Sequence, residues 1–430
     1  MKALLRHIIT AILGWEAKLV LWKYKPKIIA VTGSVGKTST KDAIFAVVEK
    51  TLVARKSMKS FNSEIGIPLT VLNCENAWSN PFLWVKNIIK GFLLLVTRVH
   101  YAKWLVLEVG AGKPGDILRA AELITPDIVV FTAFSAVPVH VEFFKSAEAL
   151  FEEKVNIVKA LKPTGILILN ADDERVFALR DKTKAKSITY GFREQAMFRA
   201  TNMQIAYEDK HPVGTTFKFE YDGNVFPVVM RGVLGAQSVY SALAALSLGV
   251  YLKQNIVDMV GALTSYDSPP GRMRVLQGLK GSVIIDDTYN ASPIAAAAAL
   301  EVLASIKTKG KKIAVLGDML ELGKYTEDEH KKLGEQAGKC ADLLVAVGPR
   351  AKYIVEGALL SNMSEKNIVE FDGSRLAGKY LESVIEAGDI VLIKGSQSMR
   401  MERAVEEIMA EPARASEILV RQEEEWKAKA

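Results

Sequence analysis

Lys27-Ile28-Ile29-Ala30-Val31-Thr32-Gly33-Ser34-Val35-Gly36-Lys37-Thr38-Ser39 is the stretch whose reading decides the fold class. Lys27 to Val31 is a short β-rich run, two glycines follow, and a helical pattern occupies Ser39 to Glu49. Strand, glycine turn and helix open an α/β domain. Glycines let the backbone curl so that successive N–H groups and a helix N-terminus face a phosphate. Gly33, Ser34, Val35, Gly36, Lys37, Thr38 and Ser39 are therefore candidate nucleotide-binding residues. Lys37 suits the outer phosphates, and the Thr38 hydroxyl suits Mg²⁺. Two residues, rather than the commoner four, separate the glycines. A plain strand-to-helix turn with an exposed lysine is the alternative.

Outward from this loop, Trp104 to Val109, Asp127 to Thr132 and Gly165 to Asn170 read as further buried strands, with helical patterns between most of them. Phe198 to Val229 alternates and carries Gly-Asn and Asp-Gly turn signals, which predicts a small antiparallel ribbon. The pattern breaks at Asp267-Ser268-Pro269-Pro270-Gly271 and restarts with Ser282 to Asp286, Lys312 to Gly317, Leu343 to Gly348 and Ile390 to Lys394. The expected architecture is α/β: a central P-loop ATPase domain with a mostly parallel sheet, then a C-terminal Rossmann-like domain. The expected boundaries are an N-terminal helical segment at 1–26, the central domain at 27–269 with an inserted basic and apolar segment at 76–103, and the second domain at 270–430.

Composition narrows the function classes. The chain has 430 residues, 49% hydrophobic and 24% charged, which fits two or three folded domains. Its two cysteines, Cys74 and Cys340, lack metal-ligand or disulfide-framework spacing, so a reducing cytoplasm is the expected compartment. A formal charge of +7 calls for an anionic partner. No recognition motif supports nucleic acid. Residues Ala3 to Trp22 are apolar overall but interrupted by Arg6, His7, Glu16 and Lys18, so neither a spanning helix nor a cleaved signal is expected. A short helix lying on a surface is expected instead.

A series of short motifs then runs in order along the chain. After Thr32 to Ser39 come Asn62-Ser63-Glu64-Ile65-Gly66-Ile67-Pro68, Glu108-Val109-Gly110-Ala111 and His140-Val141-Glu142. Gly271-Arg272-Met273, Asp286-Asp287-Thr288-Tyr289-Asn290-Ala291, Leu316-Gly317-Asp318-Met319-Leu320-Glu321-Leu322-Gly323 and Lys394-Gly395-Ser396 follow. Together, from about residue 27 to 410, they resemble the Mur ligase family, whose phosphate loop is shared with folylpolyglutamate synthases. The last three motifs are most similar to its D-alanyl-D-alanine-adding branch.

The resemblance implies a cytoplasmic ATP-dependent ligase that phosphorylates a substrate carboxylate and lets an amine attack the acyl phosphate. Its implied substrates are a muramyl peptide and D-alanyl-D-alanine, and it implies ATP, two Mg²⁺ ions and a monomer. Lys37, Glu108, His140, Lys154 and Arg272 become candidate catalytic residues. Thr38, Glu108, His140 and Lys154 become candidate metal ligands, Lys154 as a carbamate formed with CO₂. Glu108 could instead be a salt-bridged strand end, His140 a loop hydrogen-bonder, and Lys154 a solvated face with Lys145 and Lys159 as competitors. Gln237, Arg272, Asp287 and Asn290 are candidate nucleotide contacts. Asn62, Lys394 and Ser396 are candidate substrate contacts, with Asp318 and Glu321 as weaker ones. A related ligase with another amine or a lipid-linked acceptor, a nucleotide-binding scaffold and a plain P-loop kinase or GTPase are the competing readings.

Two departures from the family stand out. Its members carry a UDP-binding domain before the phosphate loop, where this sequence has 26 residues, so carrier recognition is expected to be rebuilt, borrowed or absent. Its Gly-x-His-Asn-x-x-Asn segment reads Gly235-Ala236-Gln237-Ser238-Val239-Tyr240-Ser241 here. Between Glu75 and Glu108 there is no acidic residue, while Lys86, Lys90, Arg98 and Lys103 lie among Pro81 to Val85, Ile88-Ile89 and Phe92 to Val96. That pattern suits an in-plane membrane helix at the inner face of the membrane. Segments 1–26 and 81–103 are therefore read either as a peripheral membrane contact or as elements that pack on each other.

Overall fold

The computed structural model describes residues 2–58, 62 and 64–428. Met1, Ser63 and Ala430, which fall within segments assigned above, lie outside them. The chain builds two sheets. The first comprises β1 (Lys27–Thr32), β2 (Ala54–Lys56), β3 (Trp104–Glu108), β4 (Ile128–Phe131), β5 (Ile166–Asn170), β6 (Lys186–Gly191), β7 (Phe198–Glu208), β8 (His211–Tyr221) and β9 (Asn224–Arg231). Their order is β2-β3-β1-β4-β5-β6-β7-β8-β9, parallel as far as β7 and antiparallel beyond.

Alternation along the strands feeds two separate cores. Ile29, Val31, Val106, Val130 and Ile168 face helix α2 (Lys37–Val48) and the helix Ala236–Tyr251. Ile28, Ala30, Leu105, Leu107, Val129 and Phe131 face the opposite layer, which includes α1 (Lys2–Tyr24), α3 (Gly66–Leu72), α5 (Asp116–Leu123) and α6 (Ala147–Lys159). A parallel strand buried on both faces must read as continuously apolar, and these do.

The ribbon expected at 198–229 is not free-standing. Tyr190 pairs in parallel with Phe198, so β7–β9 continue the main sheet. Phe198, Phe217, Phe219 and Met230 are buried against the same core, and that burial is what attaches the ribbon.

The second sheet runs β10 (Arg274–Gln277), β11 (Val283–Asp287), β15 (Ile390–Lys394), β12 (Lys312–Gly317), β13 (Leu343–Val347), β14 (Ile368–Phe371), with only β10 antiparallel. Strands β2, β10 and β14 are edges with mixed burial, so no apolar run announces them.

The N-terminal segment is longer than a short helix. α1 spans 23 residues and packs against α3 and against α4 (Pro81–Val96). Asn80 starts α4, its Oδ1 accepting from the N–H groups of Phe82 and Leu83, and Pro81 takes the first helical position. Lys23 Nζ, from α1, donates to the carbonyls of Leu94 and Leu95 at the other end of α4, both at 2.9 Å.

Glu16 is buried in this layer beside Gly91, and its Oε2 has no hydrogen-bond partner among the described residues. Burial raises its pKa from 4.5 to about 7. The folded state thus holds the proton more tightly than the unfolded one, and stability falls as pH rises from 4.5 towards 7. Glu16→Gln should therefore stabilise the protein by about 1–3 kcal/mol at pH 8 and by little at pH 4. Urea denaturation at the two pH values checks this; equal effects at both would remove the buried-carboxylate explanation.

Candidate active site

The site forms where the carboxyl ends of the two sheets meet. In the first sheet β1 lies between β3 and β4, the switch point at which an open α/β sheet leaves a crevice. The loop after β1 needs its glycines for steric reasons. Gly33 has φ 137° and Gly36 φ 80°, and a Cβ on Gly33 would collide with Thr132 Oγ1. Ser34 N donates to Ala133 O at 2.7 Å and Thr132 Oγ1 to Val35 O at 2.6 Å, which ties the loop to the end of β4. Helix α2 begins at Lys37, two residues earlier than the helical pattern suggests, so Lys37, Thr38 and Ser39 supply its first-turn N–H groups. Lys37 Nζ donates to Ser34 O at 3.4 Å. Burial pushes its pKa down, Glu108 opposes this, and Arg272 adds to it.

Glu108, the last residue of β3, is buried and held at both oxygens. Thr38 Oγ1 donates to Oε2 and Asn62 Nδ2 to Oε1, each at 2.9 Å. Behind it, Glu108 N donates to Ser57 Oγ at 3.2 Å, and the buried Lys41 Nζ donates to Ser57 O at 2.9 Å. Lys154 projects from α6 into the same cavity and is buried, while Lys145 and Lys159 are exposed. No hydrogen bond or ion pair holds its ammonium among the described residues. Burial and then the neighbouring Lys37 push its pKa well below the ordinary lysine value, against the opposing pull of Glu153 and Glu108. His140 lines the cavity at φ 73°, and its Nδ1 pairs with the carboxylate of Glu321 from the second sheet's side.

From that side Arg272 reaches over, with its guanidinium 3.9 Å from the centre of the Tyr289 ring and Nη2 3.3 Å from Thr38 Oγ1. Its linker is anchored by Gly271 N donating to Asp286 Oδ2 at 3.0 Å and Met273 N to Asp287 Oδ1 at 3.2 Å. Lys394 Nζ is paired with Asp287 Oδ2 at 2.5 Å and donates to Asn290 O at 2.9 Å. Ser396 is buried but does not line the cavity. Its Oγ accepts from Leu320 N at 2.8 Å, and its N donates to Asp318 O at 3.0 Å, so it supports the 318–322 loop.

Ser34 to Ser39, Asn62, Glu108, His140, Lys154, Arg272, Asp287, Tyr289, Asn290 and Lys394 line one cavity of about 450 Å³, whereas the candidates Gly33, Asp318, Glu321 and Ser396 do not. Gln237 lies over the phosphate loop, its Oε1 3.6 Å from where a Cβ on Gly36 would be. One end of the cavity is apolar, lined by Val233 and Leu234 and, across from them, by Ala295, Ala298, Ala299 and Val302 of the helix Pro293–Ser305. Sequence reasoning does not single out this alanine face or Tyr289. The run Ala295 to Ala299 is the available signal, since consecutive alanines leave room for a ligand beside a helix.

Two buried polar atoms in this region, Ser34 Oγ and Arg272 Nε, lack partners among the described residues. Unfilled donors next to Lys37 and a helix N-terminus fit a polyphosphate. No group of three or more carboxylate, imidazole or thiol ligands gathers anywhere among the described residues. Thr38 and Glu108 could still hold Mg²⁺ in the usual way, with one or two protein oxygens and the rest from phosphate and water.

Comparison with known proteins adds sequence and fold likeness to this geometry. Residues 31–249 match the family model of the Mur ligase middle domain, and residues 271–397 match that of the Mur ligase glutamate ligase domain. The UDP-N-acetylmuramoyl-tripeptide–D-alanyl-D-alanine ligase of Bacillus subtilis is 29% identical over 397 residues, covering 92% of this chain and 79% of that protein. The enzyme of the same name from Mycobacterium leprae is 30% identical, covering 86% of this chain and 71% of its own. Among solved structures, the MurF ligase of Thermotoga maritima in complex with ADP superposes with a TM-score of 0.74 at 27% identity, covering 93% of this chain and 83% of that one. With its middle-domain match spanning half the chain and a glutamate ligase domain match following it, the protein belongs to the Mur ligase family.

Proposed function

We infer that the protein is an ATP-dependent ligase that forms an amide bond between a muramyl tripeptide carboxylate and the amine of D-alanyl-D-alanine. The observation that carries this reading is the convergence of Lys37, Glu108, Lys154 and Arg272, from both sheets, on one cavity. ATP supplies the phosphoryl group that activates the acceptor carboxylate, and the dipeptide amine then displaces phosphate, releasing ADP. The protein's part is positioning and charge stabilisation. The phosphate loop and Lys37 hold the outer phosphates, Arg272 neutralises charge as it gathers on the transferred group, and Asp287 with Asn290 orders Lys394 towards the acceptor. Thr38 and Glu108 would hold a Mg²⁺ ion, which when bound would offset the same charge. The amine of Lys154, whose deprotonated form burial favours, would add to CO₂ with loss of a proton, and the resulting carbamate would offer an oxygen as a further Mg²⁺ ligand. Every group comes from one chain, so a monomer suffices, and the reading takes the enzyme to work in the cytoplasm, where ATP is supplied.

The test is phosphate release from Mg-ATP by the purified protein. D-alanyl-D-alanine is screened against single amino acids, with UDP-muramyl tripeptide and a lipid-linked equivalent as acceptors. Release that requires the dipeptide and either acceptor supports the reading. Release with another amine alone would replace the dipeptide in it.

The apolar end of the cavity suits the nucleobase. Ala298→Phe would fill it from the helix surface, and the KM for ATP should rise about tenfold or more with little change in melting temperature. An unchanged KM would move the base elsewhere in the cavity.

A further inference from the structure

Helices α1 and α4 each present two different apolar faces, and only one of each is covered. On α1 the covered face is Leu13, Ala17 and Val20, all fully buried. Its other side exposes Ile8, Trp15 and Trp22, seven residues apart and so on one stripe, with Trp22 75% exposed. Exposed Lys18 follows Trp15 by three residues on the same stripe, and exposed Lys25 follows Trp22 just past the end of the helix. On α4 the covered face centres on Asn87 and Gly91, which lies against Glu16 of α1. The uncovered one carries Phe82, Val85, Ile89, Phe92 and Val96 at intervals of three and four, with Phe82 83% exposed. The two helices do pack on each other, as one of the two sequence readings expects, but that packing does not use these stripes.

Charge indicates what covers them. Lys86 is exposed beside Val85 and Ile89, and Arg98 and Lys103 are exposed just beyond α4. No acidic residue occurs between Glu75 and Glu108, and the single acid of α1, Glu16, is turned into the buried layer. The two helices and the segment that follows α4 therefore present basic side chains beside the stripes, and the exposed acids Glu424 and Glu425 precede Trp426, which lies beside Trp78 ahead of α4. A second copy of this chain would bring the same basic side chains against them, which like charge opposes. No helix among the described residues is long and apolar enough to cross a membrane. Apolar stripes with tryptophans, interleaved with lysines whose stems can lie along the surface, match an in-plane interfacial helix.

We propose that the open faces of α1 and α4 dock on an anionic lipid bilayer, with Trp15, Trp22, Phe82 and Phe92 entering the headgroup boundary and Lys18, Lys25, Lys86 and Arg98 meeting the lipid phosphates. This inference is independent of the ligase reading and is tested without activity.

The full-length protein is floated with vesicles of phosphatidylglycerol and phosphatidylcholine, and with phosphatidylcholine alone, at low and high salt. Binding to the anionic vesicles at low salt is expected, weakening about tenfold or more with neutral lipid or with high salt. The double variant Trp22→Glu/Phe92→Glu should lose anionic-vesicle binding about tenfold or more while keeping its melting temperature, because both side chains are exposed in the fold. Absence of binding to anionic vesicles would overturn the proposal. So would a lipid-free dimer, seen by sedimentation velocity, that the double variant dissolves, because the stripes would then belong to a second copy.

Discussion

Lys154→Ala is expected to lower dipeptide-dependent phosphate release by about three orders of magnitude, because on the proposed mechanism it would remove both a metal ligand and the charge that ligand would place beside the transferred group. Three observations set the expectation. The side chain is buried in the cavity wall, its nitrogen has no partner among the described residues, and Lys37 and Glu108 lie close enough to bear on its protonation. A buried lysine without an anion is destabilised as an ammonium and is favoured as a neutral amine. That form alone reacts with CO₂. Activity of the unmodified enzyme should therefore fall in CO₂-depleted buffer and return on adding bicarbonate, and intact-mass measurement under native conditions should find the added mass of one CO₂. Lys154→Ala should be insensitive to bicarbonate and partly rescued by a short carboxylic acid that fits the vacated space. An enzyme indifferent to CO₂ depletion, with Lys154→Ala nearly as active as the parent, would leave Lys154 a packing residue.

Arg272→Ala should cost about a thousandfold in kcat/KM for ATP-dependent ligation, by analogy with other arginines that neutralise a transferred phosphoryl group. Here the guanidinium is stacked on Tyr289, is within hydrogen-bonding reach of Thr38 and keeps a buried Nε unpartnered among the described residues. A flat, always-charged fork can do all three at once, and a lysine cannot, so Arg272→Lys should recover less than about a tenth of the loss. Tyr289→Leu removes the stacking surface but leaves the charge. It should give an intermediate loss, mostly in kcat, because Tyr289 positions Arg272. Steady-state kinetics on the three variants check the order. Full activity of Arg272→Lys would reduce the role of Arg272 to a diffuse positive charge.

Much of the fold and most of the site are legible in the order of the residues. The phosphate loop is local chemistry: two glycines between a strand and a helix allow one backbone path, and Lys37 and Thr38 follow at the helix start. Buried parallel strands are likewise legible, because both faces must be apolar, as in the runs Trp104 to Val109 and Ile390 to Lys394. Edge strands β2, β10 and β14 escape such a reading because one exposed side dilutes the run.

By itself, then, the sequence determined the α/β plan, the glycine loop between β1 and α2 and the set of residues able to bear the proposed chemistry. These depend on backbone geometry and residue type within a few positions. Tertiary structure alone decided that Lys154, rather than Lys145 or Lys159, enters the cavity, and that His140 meets Glu321 across the two sheets. It also decided that Ser396 supports a loop rather than lining the cavity, and that β7–β9 join the main sheet. Each of these depends on the direction a side chain takes once segments tens or hundreds of residues apart have packed. The period of a sequence fixes which residues share a face, and only packing fixes what that face meets.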